Sequence, residues 1–166
     1  MARITVNTSG TQPTLLVSTD LISNSANWGN IANTLAVTCL QDITITNSTG
    51  VYSYIDFCST DMYKLTTPAD NELSMNMVID STVFFGNSSA TAGSATNIGI
   101  ADLSTTKTPL QFKIVMNGGN STANAYYYAG QGFIASLAPT ASPDAPVWVT
   151  PMTVAVNGAM ASGQNP

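Results

Sequence analysis

The chain contains no histidine, and this absence removes several kinds of chemistry at once. Histidine is the commonest general base, the usual partner of a catalytic serine or cysteine, and the commonest metal ligand. Catalysis by carboxylates alone remains, but it needs two carboxylates at a defined spacing across a cleft. The nearest pairs are Asp56 with Asp61 and Asp70 with Glu72, and solvated charge in a loop is the simpler explanation for the second pair. We therefore expect no catalytic residues, no metal site, no cofactor and a non-enzymatic protein.

Charge is also scarce. Only 8% of the residues are charged, whereas about 25% is typical of soluble domains. Four basic residues stand against nine acidic ones, for a net charge of −5, so we expect repulsion of nucleic acid rather than binding to its phosphates. Surface charge normally keeps monomers apart. A chain this poor in charge is either a subunit that buries much of its surface against copies of itself or a polar, uncharged β-domain of the kind found in secreted binding modules.

Long apolar runs are missing as well. No stretch approaches the roughly 18 apolar residues of a membrane span, and the start, MARITVNTSG, lacks the apolar segment of a signal peptide. We therefore expect no membrane partner and synthesis in a cytoplasm. The two cysteines, Cys39 and Cys58, could form a disulfide, but a reducing cytoplasm and the apolar neighbours of Cys39 favour two buried free thiols.

What the chain does contain is strand-like sequence. The length suits a single domain over residues 1–166, with flexible loops predicted near 20–33 and 86–96 from their Asn-, Ser- and Gly-rich composition. Trp28 anchors the first loop in this interpretation. In the last third, Tyr126–Leu137 and Val147–Val156 are predicted to pair as a hairpin that closes a β-sheet.

The clearest upstream hairpin joins Leu35–Thr46 to Val51–Cys58, because apolar and polar residues alternate along the first run. Asn47–Gly50 reads as the turn between them, so Thr46 is expected to face Val51. Asp70 and Glu72 fall in a predicted loop after Pro68. The remaining predicted elements are strands at Arg3–Val6, Leu15–Ser18, Leu73–Phe85 and Leu110–Met116, and a short helix at 97–106.

The order of these segments resembles that of the tail tube proteins of long-tailed, siphovirus-like bacteriophages. The resemblance is carried by "VTCLQDITIT", by "MYKLTTPADNELSMNMVID" ending in a long strand, by a short helix leading into "LQFKIVM", and by the ending "GQGFIASLAPTASPDAPVWVTPMTVAVNG". It covers about three quarters of the chain and consists of patterns of order. It implies a mainly β fold of two packed antiparallel sheets, sandwich-like or barrel-like, with one short helix.

The resemblance also implies a function. Members of that family form hexameric rings that stack into a tail tube, the conduit for DNA ejection. The expected partners are further copies of the chain and the tail terminator, distal tail and tape measure proteins, while double-stranded DNA passes through the lumen without specific binding. The expected location is the tail of a virion made in the cytoplasm of a bacterial host. An acidic lumen suits this task, because like charge opposes the approach of phosphates.

Candidate residues follow from placing the Leu35–Cys58 hairpin in the sheet that joins neighbouring subunits. Thr44, Thr46, Val51 and Ser53 are the candidates for contacts between subunits. Asp42 and Asp56 are the candidates for charge facing the lumen. Asp42 lies on the same side of its predicted strand as the polar residues Thr44 and Thr46. The alternative is a carbohydrate-binding or adhesin-like β-sandwich, in which aromatic side chains form a stacking platform; its candidates are Trp28, Tyr52, Tyr54 and Tyr126–Tyr128.

Overall fold

Long antiparallel strands dominate the chain, as the alternating apolar pattern predicted. A computed structural model describes residues 12–54, 62–118, 123–142 and 145–165. The strands in these ranges are β1 Thr14–Ser18, β2 Leu35–Val37, β3 Leu40–Tyr54, β4 Tyr63–Val78, β5 Leu110–Val115, β6 Tyr126–Leu137, β7 Thr140–Ser142, β8 Ala145–Val156 and β9 Ala161–Gln164. The helices are α1 Ser81–Phe85 and α2 Ala95–Thr106, with a short 3-10 helix at Ser25–Asn27.

Hydrogen bonds join these strands into one sheet in the order β2-β1-β5-β6-β8-β4-β3, with β9 paired to β6 and β7 paired to β8. Every pairing is antiparallel. Strand β6 is central, because β5 covers one of its edges while β9 and then β8 cover the other. Gly132 of β6 faces the carbonyl of Ala155 so closely that a side chain there would collide with it. The mainly β, antiparallel fold expected from the sequence is confirmed, but hydrogen bonds join the described strands into one sheet rather than the two packed sheets that were expected.

The larger of two apolar clusters draws on both ends of this strand order. Its fully buried members come from β1, β4, β5, β6, β8 and α2; they include Leu15, Leu73, Ile100, Leu103, Phe112, Ile134 and Met152. Strands near opposite ends of the order therefore share one interior. The predicted Tyr126–Leu137 and Val147–Val156 hairpin is confirmed as the pair β6 and β8 at the middle of this sheet.

Helix α2 confirms the predicted helix at 97–106 and begins two residues earlier. The hydroxyl of Ser94 accepts the backbone N–H of Asn97 at 3.2 Å and caps the helix. Gly99 has a φ of 82° and interrupts the helical backbone. A Cβ at Gly99 would collide with the backbone of Phe85 and Gly86, so α1 and α2 pack backbone to backbone at this point.

The predicted hairpin turn at Asn47–Gly50 is wrong. Strand β3 runs without interruption through these residues and pairs with β4, so that Thr46 lies opposite Glu72 and Val51 opposite Thr66. The Asn-Ser-Thr-Gly composition is typical of a turn, but β4 supplies backbone partners along the whole segment, and tertiary pairing overrides local preference. The first residues of the predicted strand form the separate strand β2, which pairs with β1.

Three further predictions are corrected. Strand β4 begins at Tyr63 and ends at Val78, so Asp70 and Glu72 lie in a strand rather than in a loop, and the end of the predicted Leu73–Phe85 strand is helix α1. The carboxylate of Asp80 accepts the N–H groups of Thr82 and Val83 at 2.9 and 3.1 Å and so starts the helix. The thiol of Cys39 is free but exposed, not buried. Arg3–Val6, Asp56 and Cys58 lie outside the described residues.

Buried polar side chains fasten the loop at 20–33 to the sheet. Gln111 is fully buried; its side chain accepts from the N–H of Ile22 at 2.9 Å and donates to the carbonyl of Trp28 at 3.2 Å. The Trp28 indole donates to the carbonyl of Ile22 at 2.7 Å. Loop backbone that lies against a sheet needs such partners because water no longer reaches it. The flexibility predicted for this loop and for 86–96 stays a prediction.

Lys113 of β5 also binds the loop at 20–33. Its side chain is buried, its Nζ donates to the carbonyl of Gly29 at 2.6 Å, and it lies 4.7 Å from the centre of the Tyr127 ring. Burial lowers the pKa of Lys113 from its usual 10.5, because desolvation disfavours the charged form. A Cβ added at Gly29, or at Gly163 of β9, would collide with the hydroxyl end of Tyr127.

Candidate functional site

The outward side of β3, β4 and β8 is a surface of small polar residues. Along β4, Leu73, Met75 and Met77 point into the core and alternate with Glu72, Ser74 and Asn76, which are exposed or half-buried. The strand register sets further outward residues beside these three. We call this surface the polar face; it consists of Asp42, Thr44, Thr46, Glu72, Ser74, Asn76, Pro151, Thr153 and Ala155.

Asp42 and Glu72 are the charged residues of the polar face. None of the described lysines lies on it, because they belong to the β3–β4 hairpin beyond this face, to the end of α2 and to β5; they are Lys64, Lys107 and Lys113. The outward position of Asp42 agrees with the parity of its strand. Its role in facing a lumen stays a prediction, and Asp56, the other candidate, lies outside the described residues.

The Asp42 carboxylate also has a structural task. It accepts the backbone N–H of Asn76 at 3.0 Å and the side-chain amide of Asn76 at 2.7 Å. The register between β3 and β4 shifts between Leu40 and Asp42, so these bonds hold the two strands together at an irregularity. Glu72, the second carboxylate of the polar face, was missed because Pro68 and the acidic residues after it suggested a loop. The alternation from Asn71 to Met77 was the signal that could have placed it.

The β3–β4 hairpin extends well beyond the rest of the sheet. Strand β8 pairs with β4 only over Asn71–Val78. Beyond that point, residues 47–54 and 63–70 pair with each other, and no third strand joins them within the part of the chain that the structure describes. Every side chain in these two segments is exposed. We call residues 47–54 and 63–70 the projecting arm.

The projecting arm exposes large apolar side chains. Val51, Tyr52 and Leu65 are 58%, 61% and 55% exposed. Tyr54 lies between Tyr52 and Tyr63, with ring centroids 6.2 and 5.6 Å away, and the three rings are stacked. A two-stranded ribbon is marginally stable in water by itself, and clustered exposed apolar side chains mark interaction surfaces. The arm therefore has the properties of a surface that another chain covers.

The four residues predicted to join subunits fall into two groups. Val51 and Ser53 lie on the projecting arm, whereas Thr44 and Thr46 lie on the polar face. All four are exposed, so each is available to another chain. Their contacts with a second subunit stay a prediction. No sequence pattern indicated the arm itself, because the length of the arm depends on where β8 stops pairing with β4.

The aromatic platform of the alternative interpretation is divided by the fold. Tyr52 and Tyr54 lie on the projecting arm, where Tyr63 joins them. Trp28 is half-buried and ties the 20–33 loop, and Tyr127 packs against Lys113. Of the predicted platform residues, Tyr52 and Tyr54 are therefore the two that stack in the structure, and Tyr63 is a third ring that was not predicted. In the described parts of the chain, no group of three or more His, Cys, Asp or Glu residues could hold a metal ion, and no helix is long and apolar enough to cross a membrane.

Comparison with known proteins identifies the fold. No family model matches this chain, and no curated protein sequence is detectably similar to it. Among solved structures, it superposes on a chain in the tail of an empty gene transfer agent particle, which was computed with helical refinement and C6 symmetry. The TM-score is 0.57 and the sequence identity 13%, and the match covers 90% of this chain and 95% of that one. A chain of the native gene transfer agent virion gives a TM-score of 0.56 and 12% identity, with the same two coverages of 90% and 95%. The tail-protein fold that the sequence resemblance implied is therefore confirmed.

Proposed function

We propose that this chain is a structural virion protein that self-assembles into hexameric rings, which stack into a tail tube and form the conduit for DNA ejection. The single observation that carries this function is the projecting arm, whose apolar side chains have no cover within the described subunit. The shared fold adds support, because one solved structure with this fold is a tail with C6 symmetry. The further partners we propose are the tail terminator, distal tail and tape measure proteins, with assembly in a bacterial cytoplasm.

The polar face suits the inner wall of such a tube. DNA must slide through the lumen, so tight contacts with its phosphates would be a defect. Lysine and arginine make those contacts, and the described residues of this face include neither. Each copy contributes the carboxylates of Asp42 and Glu72 instead, which repel a passing phosphate backbone. Thr44, Ser74 and Thr153 supply neutral polar groups that water solvates.

The projecting arm suits contact with other copies of the chain. Among the residues that the structure describes, no third strand pairs with its backbone edges, and its side chains are exposed on both strands. Such a ribbon gains stability when a neighbouring sheet or loop covers it. In a tube built from identical subunits, the surface that is always nearby is another copy. We therefore place Val51 and Ser53 at contacts between copies.

Electron microscopy of the purified chain tests self-assembly. Rings or tubes are the expected result, and their sixfold symmetry is read from end-on views. Ser53→Lys should weaken assembly more than folding, because its side chain is exposed in the subunit and lies on the arm that we place between copies. A monomer that persists in light scattering at all concentrations, with no rings under any condition, would contradict the proposal.

The stacked tyrosines favour one second candidate, a carbohydrate-binding module. Stacked aromatic rings on an exposed ribbon offer apolar faces of the kind that bind ligand rings. Glycan-array binding by a monomeric chain, lost in Tyr54→Ser, would support this candidate. Tubes without glycan binding would exclude it in favour of the tail tube.

A further inference from the structure

The sequence Asn-Gly occurs twice in the chain, at Asn117–Gly118 and at Asn157–Gly158. In such a pair the backbone nitrogen of the glycine can attack the side-chain amide of the asparagine. Glycine favours this attack, because it has no Cβ to obstruct the approach and its backbone adopts conformations that other residues avoid. In a folded chain the reaction also depends on how the two residues are held, and the two pairs differ in this respect.

The pair at Asn157 is unrestrained. It directly follows β8, and both of its residues are exposed. Among the described residues, the Asn157 side chain has no hydrogen-bond partner, and no group accepts the backbone N–H of Gly158. A Cβ placed at Gly158 would meet no atom within 4 Å, so the space around this backbone is open. No contact in the described subunit therefore holds the two reacting groups apart.

The pair at Asn117 has the same chemistry but is held in place. The Oδ1 of Asn117 accepts the backbone N–H of Tyr126 at 3.1 Å. Asn117 is half-buried and Gly118 is buried. An attack by the Gly118 nitrogen would require the Asn117 side chain to give up this hydrogen bond and turn. The second pair is therefore an internal reference with the same two residues.

We propose that Asn157 is a site of spontaneous covalent modification, at which asparagine is converted to isoaspartate or aspartate. The Gly158 nitrogen loses its proton to solvent and forms a bond with Cγ of Asn157. The bond from Cγ to Nδ2 breaks, and this nitrogen leaves with added protons as ammonia. Water then opens the resulting cyclic imide at either of its carbonyl carbons, which gives aspartate or isoaspartate. Each conversion consumes a water molecule and releases ammonia, with no oxidation or reduction.

The isoaspartate product changes a contact with a buried side chain. Nδ2 of Asn71 donates to the carbonyl of Gly158 at 2.8 Å. Asn71 is 4% exposed, and within the described residues its Oδ1 has no hydrogen-bond partner. Isoaspartate lengthens the main chain before Gly158 by a carbon atom and so displaces this carbonyl. The Asn71 amide is then left buried and unpaired, which destabilises the subunit.

Peptide mass spectrometry tests the site on unassembled full-length chain aged at mildly alkaline pH. Conversion at Asn157 should be at least about fivefold faster than at Asn117, because the second side chain must first give up a hydrogen bond. In a denaturing concentration of urea the two asparagines should convert at similar rates, because the fold no longer distinguishes them. Equal rates in the folded chain, or a faster reaction at Asn117, would overturn the proposal.

The Asn157→Ser variant gives a second readout, because it removes the reacting amide at an exposed position. An isoaspartate methyltransferase should label the aged wild type and leave the aged variant unlabelled. Ageing should also lower the unfolding temperature of the wild type and leave that of Asn157→Ser unchanged. Equal labelling of the two proteins would refute the site, and a converted wild type with an unchanged unfolding temperature would refute the link to Asn71. These measurements use separate subunits, so their outcome is independent of whether the chain forms tubes.

Discussion

Replacing Leu65 on the projecting arm by serine should weaken assembly while leaving the subunit folded. Leu65 is 55% exposed in the separate subunit, and it lies directly opposite Tyr52 on the neighbouring strand of the arm. A tube in which other copies cover the arm removes this exposed half from water. In the Leu65→Ser variant that gain is lost at every copy, so the effect repeats along the whole assembly.

The magnitude follows from the exposed fraction of the side chain. Burying a whole leucine side chain contributes about 1.5–3 kcal/mol. About half of Leu65 remains to be buried, so each contact should lose about 1–1.5 kcal/mol. That loss corresponds to a five- to tenfold weaker association, because 1.4 kcal/mol is about a factor of ten. The separate subunit should lose only about 0.5 kcal/mol of stability, as is usual for exposed positions.

The assay measures the lowest protein concentration at which material pellets as tubes, together with the thermal unfolding of unassembled subunits. Leu21→Ser is the matched control, because Leu21 is 50% exposed but lies in the loop at 20–33, away from the arm. We expect Leu65→Ser to raise the threshold concentration about five- to tenfold and Leu21→Ser to leave it near the wild-type value. Identical thresholds for all three proteins would refute the role given to the arm.

Three further predictions concern other parts of the subunit. Gly99→Ala should lower the free energy of unfolding by about 1–3 kcal/mol, and thermal denaturation measures the loss. Gly93→Ala should lower it less, because both glycines have positive φ but only at Gly99 do backbone atoms lie where a Cβ would be placed. Exchanging Asp42 and Glu72 for lysine should slow DNA passage in an ejection assay, and unchanged delivery would show that these carboxylates do not control passage. Burial lowers the pKa of Lys113 in the folded chain from 10.5, so between this lowered pKa and pH 10.5 the unfolded chain binds more protons than the folded one. The free energy of unfolding should therefore rise with pH across that interval. Chemical denaturation measures this rise, and Lys113→Met should remove it.

The sequence predicted those elements that local pattern determines. The pairing of β6 with β8 followed from two apolar runs close together in the chain, and α2 followed from its apolar spacing and polar start. The pairing of β3 with β4 could not be predicted in the same way, because Asn47–Gly50 is turn-like locally and its strand partner lies beyond the segment at 55–61. Nearby Gly50 lies against Thr67 at a register shift between the strands, which a periodic pattern does not show.

The candidate site was predictable to the same degree. Strand parity was enough to place Asp42 on the outward side of its strand. The projecting arm could not be predicted in this way, because it exists only since β8 stops pairing with β4 at Asn71. The residues of the arm contain no pattern that indicates where β8 stops. The alternation along Leu73–Phe85 hides helix α1, because Asp80 fits a polar position of a strand, whereas its carboxylate caps a helix.

The packing around Tyr127 sets a rule for how related sequences can vary. The tyrosine ring fills space that side chains at Gly29 and Gly163 would otherwise occupy, and these positions belong to segments far apart in the chain. A larger residue can therefore replace either glycine only when the side chain at position 127 becomes smaller or moves. The sizes of the residues at positions 29, 127 and 163 should therefore be correlated. Homologues that carry alanine or serine at position 29 or 163 should have a smaller residue at position 127. In a multiple alignment this appears as covariation linking the loop at 20–33, β6 and β9.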